Sequence, residues 1–197
     1  MKTNHITRLC LITFVAAAAA GCASAPSHFY TLNSTATGNG APAANYAVVV
    51  GPVSVPLLVD RPQFTIQTAP NRVEINEFNR WAAPLNDNIA RVVAGDLAVL
   101  LGTPRVAMMS QANFAPAYQV TINIQRFESV PGRSVLVDAL WTVREVAGGA
   151  MLSGDTAANE PVPGDGFDAL AAAHSRALAK VSGDIAAAIR VEAEAKP

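Results

Sequence analysis

Tyr118-Gln-Val-Thr-Ile-Asn-Ile-Gln125 is the stretch that decides the fold. Tyr118, Val120, Ile122 and Ile124 alternate with Gln119, Thr121, Asn123 and Gln125. That is the period of a strand with one buried and one wet face. Pro131-Gly132 supplies a turn, residues 135–146 return as a second long strand containing Trp141, and Gly148-Gly149 turns again into residues 151–157. Three consecutive strands joined by tight turns specify an antiparallel meander.

Reading outward from the meander, Phe64-Thr-Ile-Gln-Thr68 and Arg72-Val-Glu-Ile-Asn76 also alternate, and Ala69-Pro70-Asn71 reads as the hairpin turn between them. Val48-Val49-Val50 is a buried strand that Gly51-Pro52 is expected to break, and Val106 to Met109 is a short strand candidate. Pro84 is expected at the first position of a helix, where its missing N–H costs nothing. Leu85, Ile89, Val92, Val93, Leu97, Leu100 and Leu101 follow at helical spacing, with Asp96 the one polar intruder in the stripe. Gly102 and Pro104 stop that helix. A second helix is expected from Asp165, its N-cap, with Asp168 in the capping-box position. Phe167, Leu170, Ala171, His174, Leu178, Val181, Ile185 and Ile189 form its buried stripe, and residues 193–197 are expected to fray. The order is strands, helix, strands, helix. It predicts a single α/β domain over residues 46–192, with a mixed, largely antiparallel sheet covered by two main helices.

The first 21 residues read differently. Lys2 and Arg8 precede an apolar run from Leu9 to Ala20, which ends in Ala19-Ala20-Gly21-Cys22. A basic start, a short apolar stretch and small residues at the end make a secretory signal. The run is short of the ~20 apolar residues of a transmembrane helix. The Ala-Ala-Gly-Cys run resembles the bacterial lipobox, so residues 1–21 are expected to be cleaved and Cys22 to carry the lipid. An ordinary secretory cut that leaves a free thiol is the alternative. Ala23 rather than Asp follows the cysteine, which favours the outer membrane. Cys10 leaves with the signal, so the mature chain has no second cysteine for an intramolecular disulfide. Residues 22–45, rich in Ala, Ser, Thr, Asn, Gly and Pro, are expected to be a tether. Phe29-Tyr30-Thr31-Leu32 is the one run in it able to dock as an edge strand.

Cleavage leaves 176 residues, with 12 basic against 15 acidic groups and a net charge near −3. This excludes the basic face that nucleic acid rewards. At 51% hydrophobic and 15% charged residues, the chain has either alanine-rich helices in close packing or an apolar surface for a partner.

Catalytic chemistry is not evident. Of the histidines, His5 leaves with the signal, His28 lies in the tether and His174 sits on a buried helical stripe, where a packed core histidine is expected. The mature chain holds no cysteine besides Cys22, no Gly-x-Ser-x-Gly elbow and no Walker loop. Glu74, Glu77, Asp155, Glu160, Asp165 and Asp168 each have a solvation, turn or capping explanation. Trp81 and Trp141 are read as core or boundary aromatics rather than as a sugar- or lipid-binding face. No metal, cofactor or enzymatic activity is expected.

The remaining segments fit one pattern. Phe29-Tyr-x-Leu32, Val55-Pro56, Asp60-Arg61-Pro62-Gln63, Asn79-Arg80-Trp81-Ala82-Ala83-Pro84-Leu85, and Phe127 through Gly132 to Trp141 together resemble the PqiC family of ABC-type transport auxiliary lipoproteins. The loop Phe127-Glu-Ser-Val-Pro-Gly132 departs from the commoner Phe-x-Gly/Asp form. The resemblance implies an α/β sandwich similar to the TolB amino-terminal domain. It also implies a non-enzymatic subunit at the periplasmic side of the outer membrane. Its partners would be an MCE-domain protein, which forms a lipid tunnel, and the inner-membrane component of that transport system, with self-association into a ring as a further expectation.

Within this pattern, Val55, Pro56, Leu57, Leu58, Asp60, Arg61 and Pro62 are the candidate docking residues, because the run is apolar yet its prolines bar regular structure. A core-covering loop is the alternative, with Arg61 in a local ion pair. Trp81, Pro84, Leu85 and Trp141 are read as structural. A carrier of lipid or another hydrophobic ligand is the competing class, and a cell-envelope hydrolase a more distant one.

Overall fold

In chain order the strands are β1 (His28–Tyr30), β2 (Val48–Ser54), β3 (Gln63–Ala69), β4 (Arg72–Trp81), β5 (Val106–Ala107), β6 (Tyr118–Val130), β7 (Ser134–Glu145) and β8 (Met151–Pro161); the helices are α1 (Leu85–Leu101) and α2 (Gly166–Glu194). This computed structural model describes residues 25–38, 40–108 and 114–195. The signal segment, Cys22, Met109 and the last two residues of the expected tail lie outside that range.

The meander forms as its alternation dictates. β6 and β7 pair antiparallel, as do β7 and β8, with Ile122 opposite Trp141 and Trp141 opposite Gly154. Val120, Ile122, Ile124, Val135, Val137, Ala139 and Val143 are buried on one face. The alternate residues, Thr121, Asn123, Leu140 and Arg144 among them, face solvent. β2 joins the other side of β6 in parallel and β5 joins β2 in parallel, giving the order β5-β2-β6-β7-β8. Gly51-Pro52 does not end β2. The strand continues to Ser54 through a register shift between Val50 and Val53, because a bulge lets one extra residue pass without losing the ladder.

The β structure is divided between two sheets rather than gathered in one. The β3–β4 hairpin, turning at Pro70-Asn71, forms a separate three-stranded sheet with β1 along its open edge, in the order β1-β4-β3. The edge-strand reading of the Phe29 run thus corresponds to β1, which pairs in parallel with residues 79–81.

α1 buries Leu85, Ile89, Val92, Val93, Leu97 and Leu101; each such aliphatic side chain stabilises by about 1.5–3 kcal/mol. Pro84 stands one place earlier than expected, as the extended N-cap residue. At the other end Gly102 adopts φ 65°, and the amides of Gly102 and Thr103 close on the carbonyls of Val99 and Ala98. In α2 the expected capping box is absent: Asp165 is the extended N-cap, but its side chain makes no capping bond. The helix runs on to Glu194, through the first residues of the expected frayed tail. Among the described residues no helix is long and apolar enough to cross a membrane.

The largest departure from the sequence reading is in residues 31–38 and 40–44, expected to be tether. They form a strap in the groove between α1 and α2. Arg91 Nη2 donates to the Leu32 carbonyl at 2.6 Å, and the Leu32 side chain is fully buried. Asn33 N–H donates to Ser175 Oγ at 3.1 Å. Arg190 Nη1 reaches the Pro42 carbonyl at 3.1 Å, and Ala44 N–H the Leu101 carbonyl at 2.8 Å. Contacts advance along both helices together, so the strap runs parallel to α1 and α2. Asp96, the intruder in the α1 stripe, is the central fastening. Its Oδ1 accepts from Ser34 Oγ (2.6 Å) and from the amides of Thr35 and Ala36 (3.0 Å each), while Ser182 Oγ of α2 donates to its Oδ2 (3.1 Å). One glycine within α1 and the glycine that caps it admit the strap. A Cβ at Gly95 would come within 3.1 Å of Ser34 Cβ, and one at Gly102 within 3.2 Å of Ala43 Cα.

Candidate docking site

Residues 55–62 leave β2 as a tight turn. The Pro56 carbonyl accepts from the amides of Val59 (3.0 Å) and Asp60 (3.1 Å), and Arg61 N–H donates to the Val59 carbonyl (2.8 Å). This turn points one aliphatic side chain inward and two outward: Val59 is buried, whereas Leu57 is 85% and Leu58 44% exposed. The loop is therefore pinned by Val59 and displays its leucines, against their solvation preference.

Residues 81 and 82 anchor this loop and β1. Trp81 N–H donates to the Pro62 carbonyl at 2.7 Å, and Ala82 N–H to the Tyr30 carbonyl at 2.8 Å. Trp81 is buried, stacked on Phe64 with ring centres 4.3 Å apart and set edge-on to Phe127 at 6.1 Å. Tyr30 and Phe167 complete this aromatic floor against Phe64. Between the two segments lies an open groove of about 410 Å³, lined by Asp60, Arg61, Pro62 and residues 81–85. Asp60, Arg61 and Pro62 of the docking candidates thus meet Trp81, Pro84 and Leu85 of the residues read as structural in one groove. Trp141 is elsewhere, buried in the meander, where its Nε1 donates to Thr156 Oγ1 at 3.1 Å and Thr156 Oγ1 donates in turn to Asp184 Oδ2 at 2.6 Å. Arg61 forms no ion pair among the described residues, and its Nε is shielded from solvent without an acceptor. The local pair weighed for it from sequence is absent.

Below the groove is a sealed polar contact. Ser129 Oγ and His174 Nε2 lie 2.7 Å apart, and the imidazole stacks on Phe127 with ring centres 3.8 Å apart. Burial pushes the His174 pKa down to about 3, leaving the ring neutral, and its Nδ1 has no partner. Both side chains are closed off from water, as expected of a core histidine. Glu160 is the other tightly held acid. Burial alone would raise its pKa, but hydrogen bonds from Lys180 and Arg176 outweigh that and hold it below the usual range; the ion-pair distances are 2.6 and 3.0 Å. Among the described residues no group of three or more His, Cys, Asp or Glu side chains is arranged to hold a metal ion.

Sequence reasoning placed the loop and the tryptophan but missed the strap's fastening. The available signal was Asp96 itself, an acid in the middle of an aliphatic stripe.

A family model described as an ABC-type transport auxiliary lipoprotein component matches residues 30–186. A search of curated proteins returns no match. Among solved structures, one described as an uncharacterized protein superposes with a TM-score of 0.70 at 19% identity, covering 84% of this chain and 99% of its own. A protein of Xanthomonas campestris gives a TM-score of 0.68 at 19% identity, covering 81% and 93%. At these identities the likeness shows the fold.

Proposed function

The chain belongs to the family of ABC-type transport auxiliary lipoprotein components, and from that membership we propose that it works by contact, as a non-enzymatic subunit anchored through Cys22 at the periplasmic face of the outer membrane. Its partner is the MCE-type tunnel protein of a lipid transport system whose other component sits in the inner membrane. By holding the far end of the tunnel at the outer membrane, the subunit supports lipid traffic and membrane integrity.

The observation that carries this reading is the loop 55–62. A Leu exposed to 85% on a turn that is itself bolted to the core at Val59 and Pro62 is pre-ordered for burial by another surface. Docking on such a loop costs little ordering entropy, and each leucine that leaves water contributes about 1.5–3 kcal/mol. Beside the leucines, Arg61 offers a guanidinium with no intramolecular ion pair among the described residues, ready for an acceptor on the partner.

The test is the double substitution Leu57→Asp/Leu58→Asp in the lipidated protein. Co-purification with the MCE partner is expected to vanish while thermal unfolding stays unchanged. Retained binding would show that another surface docks. Palmitate labelling that disappears in Cys22→Ser tests the anchor separately.

A further inference from the structure

Phe29 is 65% exposed on the edge strand β1, and Phe78 is 45% exposed on the adjoining β4. β1 pairs with β4 such that His28 lies opposite Asn79, the residue after Phe78, and Phe29 lies opposite Arg80. The residues around them hold the two strands together. Tyr30 Oη donates to Asn79 Oδ1 at 2.7 Å, and Arg80 Nη2 lies 3.4 Å from Glu77 Oε2. Two large aromatic side chains stand in solvent beside the Arg80–Glu77 pair.

What covers them follows from the length of chain that leads to them. Phe29 stands seven positions after Cys22, a reach of at most about 25 Å at roughly 3.3–3.6 Å per residue. As a flexible coil the same segment spans about 15 Å on average. The tether cannot lengthen by unpeeling, since the chain beyond Tyr30 is locked to Asn88, Arg91 and Asp96.

Resting on the lipid anchor at Cys22, we propose that the β1–β4 rim, through Phe29 and Phe78, seats on the lipid surface and stands the domain end-on to the bilayer. Aromatic rings favour the boundary between head groups and acyl chains. The strap starts at this rim, where the Tyr30 and Phe167 rings are 5.8 Å apart, and ends near Arg190 at the other end of α2. The 24 helical steps from Phe167 to Val191 rise about 36 Å, so the far end of α2 faces away from the membrane. The anchor and the rim set which part of the domain a partner arriving across the periplasm meets first.

The two native tryptophans are buried and report little on lipid, which makes an added indole readable. The mature lipidated protein carrying Phe29→Trp, Phe78→Trp or Val191→Trp is reconstituted into vesicles of phosphatidylethanolamine and phosphatidylglycerol with or without brominated acyl chains. Position 191, 65% exposed in the native chain, is the distant control. An indole seated about 5–10 Å into the boundary is expected to lose roughly half its emission to the bromines at positions 29 and 78, and none at 191. Co-flotation with no quenching at 29 and 78 beyond that of the native protein overturns the contact while leaving the anchor intact. Quenching at 191 equal to that at 29 overturns the end-on orientation. Failure to float with the vesicles overturns anchor and contact together.

Discussion

The strap at residues 31–44 and the loop at residues 55–62 look alike in the sequence: both are short, irregular and punctuated by Pro or Gly. Their fates differ. In the strap, the amides of Thr35 and Ala36 end on Asp96, that of Asn33 on Ser175, and Arg91 closes the Leu32 carbonyl. Leu32 vanishes into the core. In the loop, backbone bonds close a turn, but Leu57 and Leu58 stay wet and the Arg61 Nε finds no acceptor. Irregular chain whose polar groups are satisfied by distant side chains is part of the fold. Irregular chain that leaves apolar and cationic groups over is available to a partner.

The largest effect expected from breaking this contrast is at Asp96. Asp96→Ala removes one acceptor group that serves three elements and orphans two backbone amides, a loss of about 3–5 kcal/mol. Urea unfolding of the variant reads it directly, and a loss under about 1 kcal/mol would mean that the strap is held by its apolar contacts alone.

His174, in the floor below the loop, comes next. Its folded pKa of about 3 lies below its ordinary 6.5, so the unfolded chain binds a proton that the folded one refuses. Stability from this group is fully present above pH 6.5. It declines as pH falls from 6.5 towards 3, by up to about 1.4 kcal/mol per pH unit. Between pH 6.5 and 5, His174→Gln is expected to remove that slope; an unchanged slope in a urea–pH series would place its origin in other groups.

A smaller effect sharpens the comparison at the strap's far end. Gly102→Ala puts a Cβ on a residue with φ 65° and against Ala43 Cα, at a cost of about 1–2 kcal/mol. A higher midpoint for the variant would show that the strap can shift to make room. Smallest of all, on stability, is Leu57→Ala. Its side chain touches mostly water, so the melting curve should move by less than about 0.5 kcal/mol, whereas affinity for the partner should fall. A large stability loss would reassign the loop to the core.

Much of the fold was legible because period is local. The alternation of Tyr118 to Ile124, the 3.6-residue stripe of α1, its stop at Gly102 and the hairpin at Pro70-Asn71 all depend on residues within a turn or a strand of one another. Gly51-Pro52 misled, since a bulge and a break share the same residues and only the neighbouring strand decides between them. The candidate site was half legible. Pro56 and Pro62 marked the loop as irregular, and Trp81 read as structural. That the two segments share a groove depends on the bond between Trp81 N–H and the Pro62 carbonyl, which no local pattern announces.

By itself, then, the sequence determined which segments are strands and which are helices, the chain's slight negative charge, and the expectation of an anchor at Cys22. The tertiary structure alone decided that a supposed tether is a strap fastened to both helices, that the β structure forms two sheets, and which leucines remain in water. The physical reason is sequence separation. Asp96 meets partners about 60 residues before it and 86 after it, and a hydrogen bond over such spans leaves no periodic trace in the residues that make it.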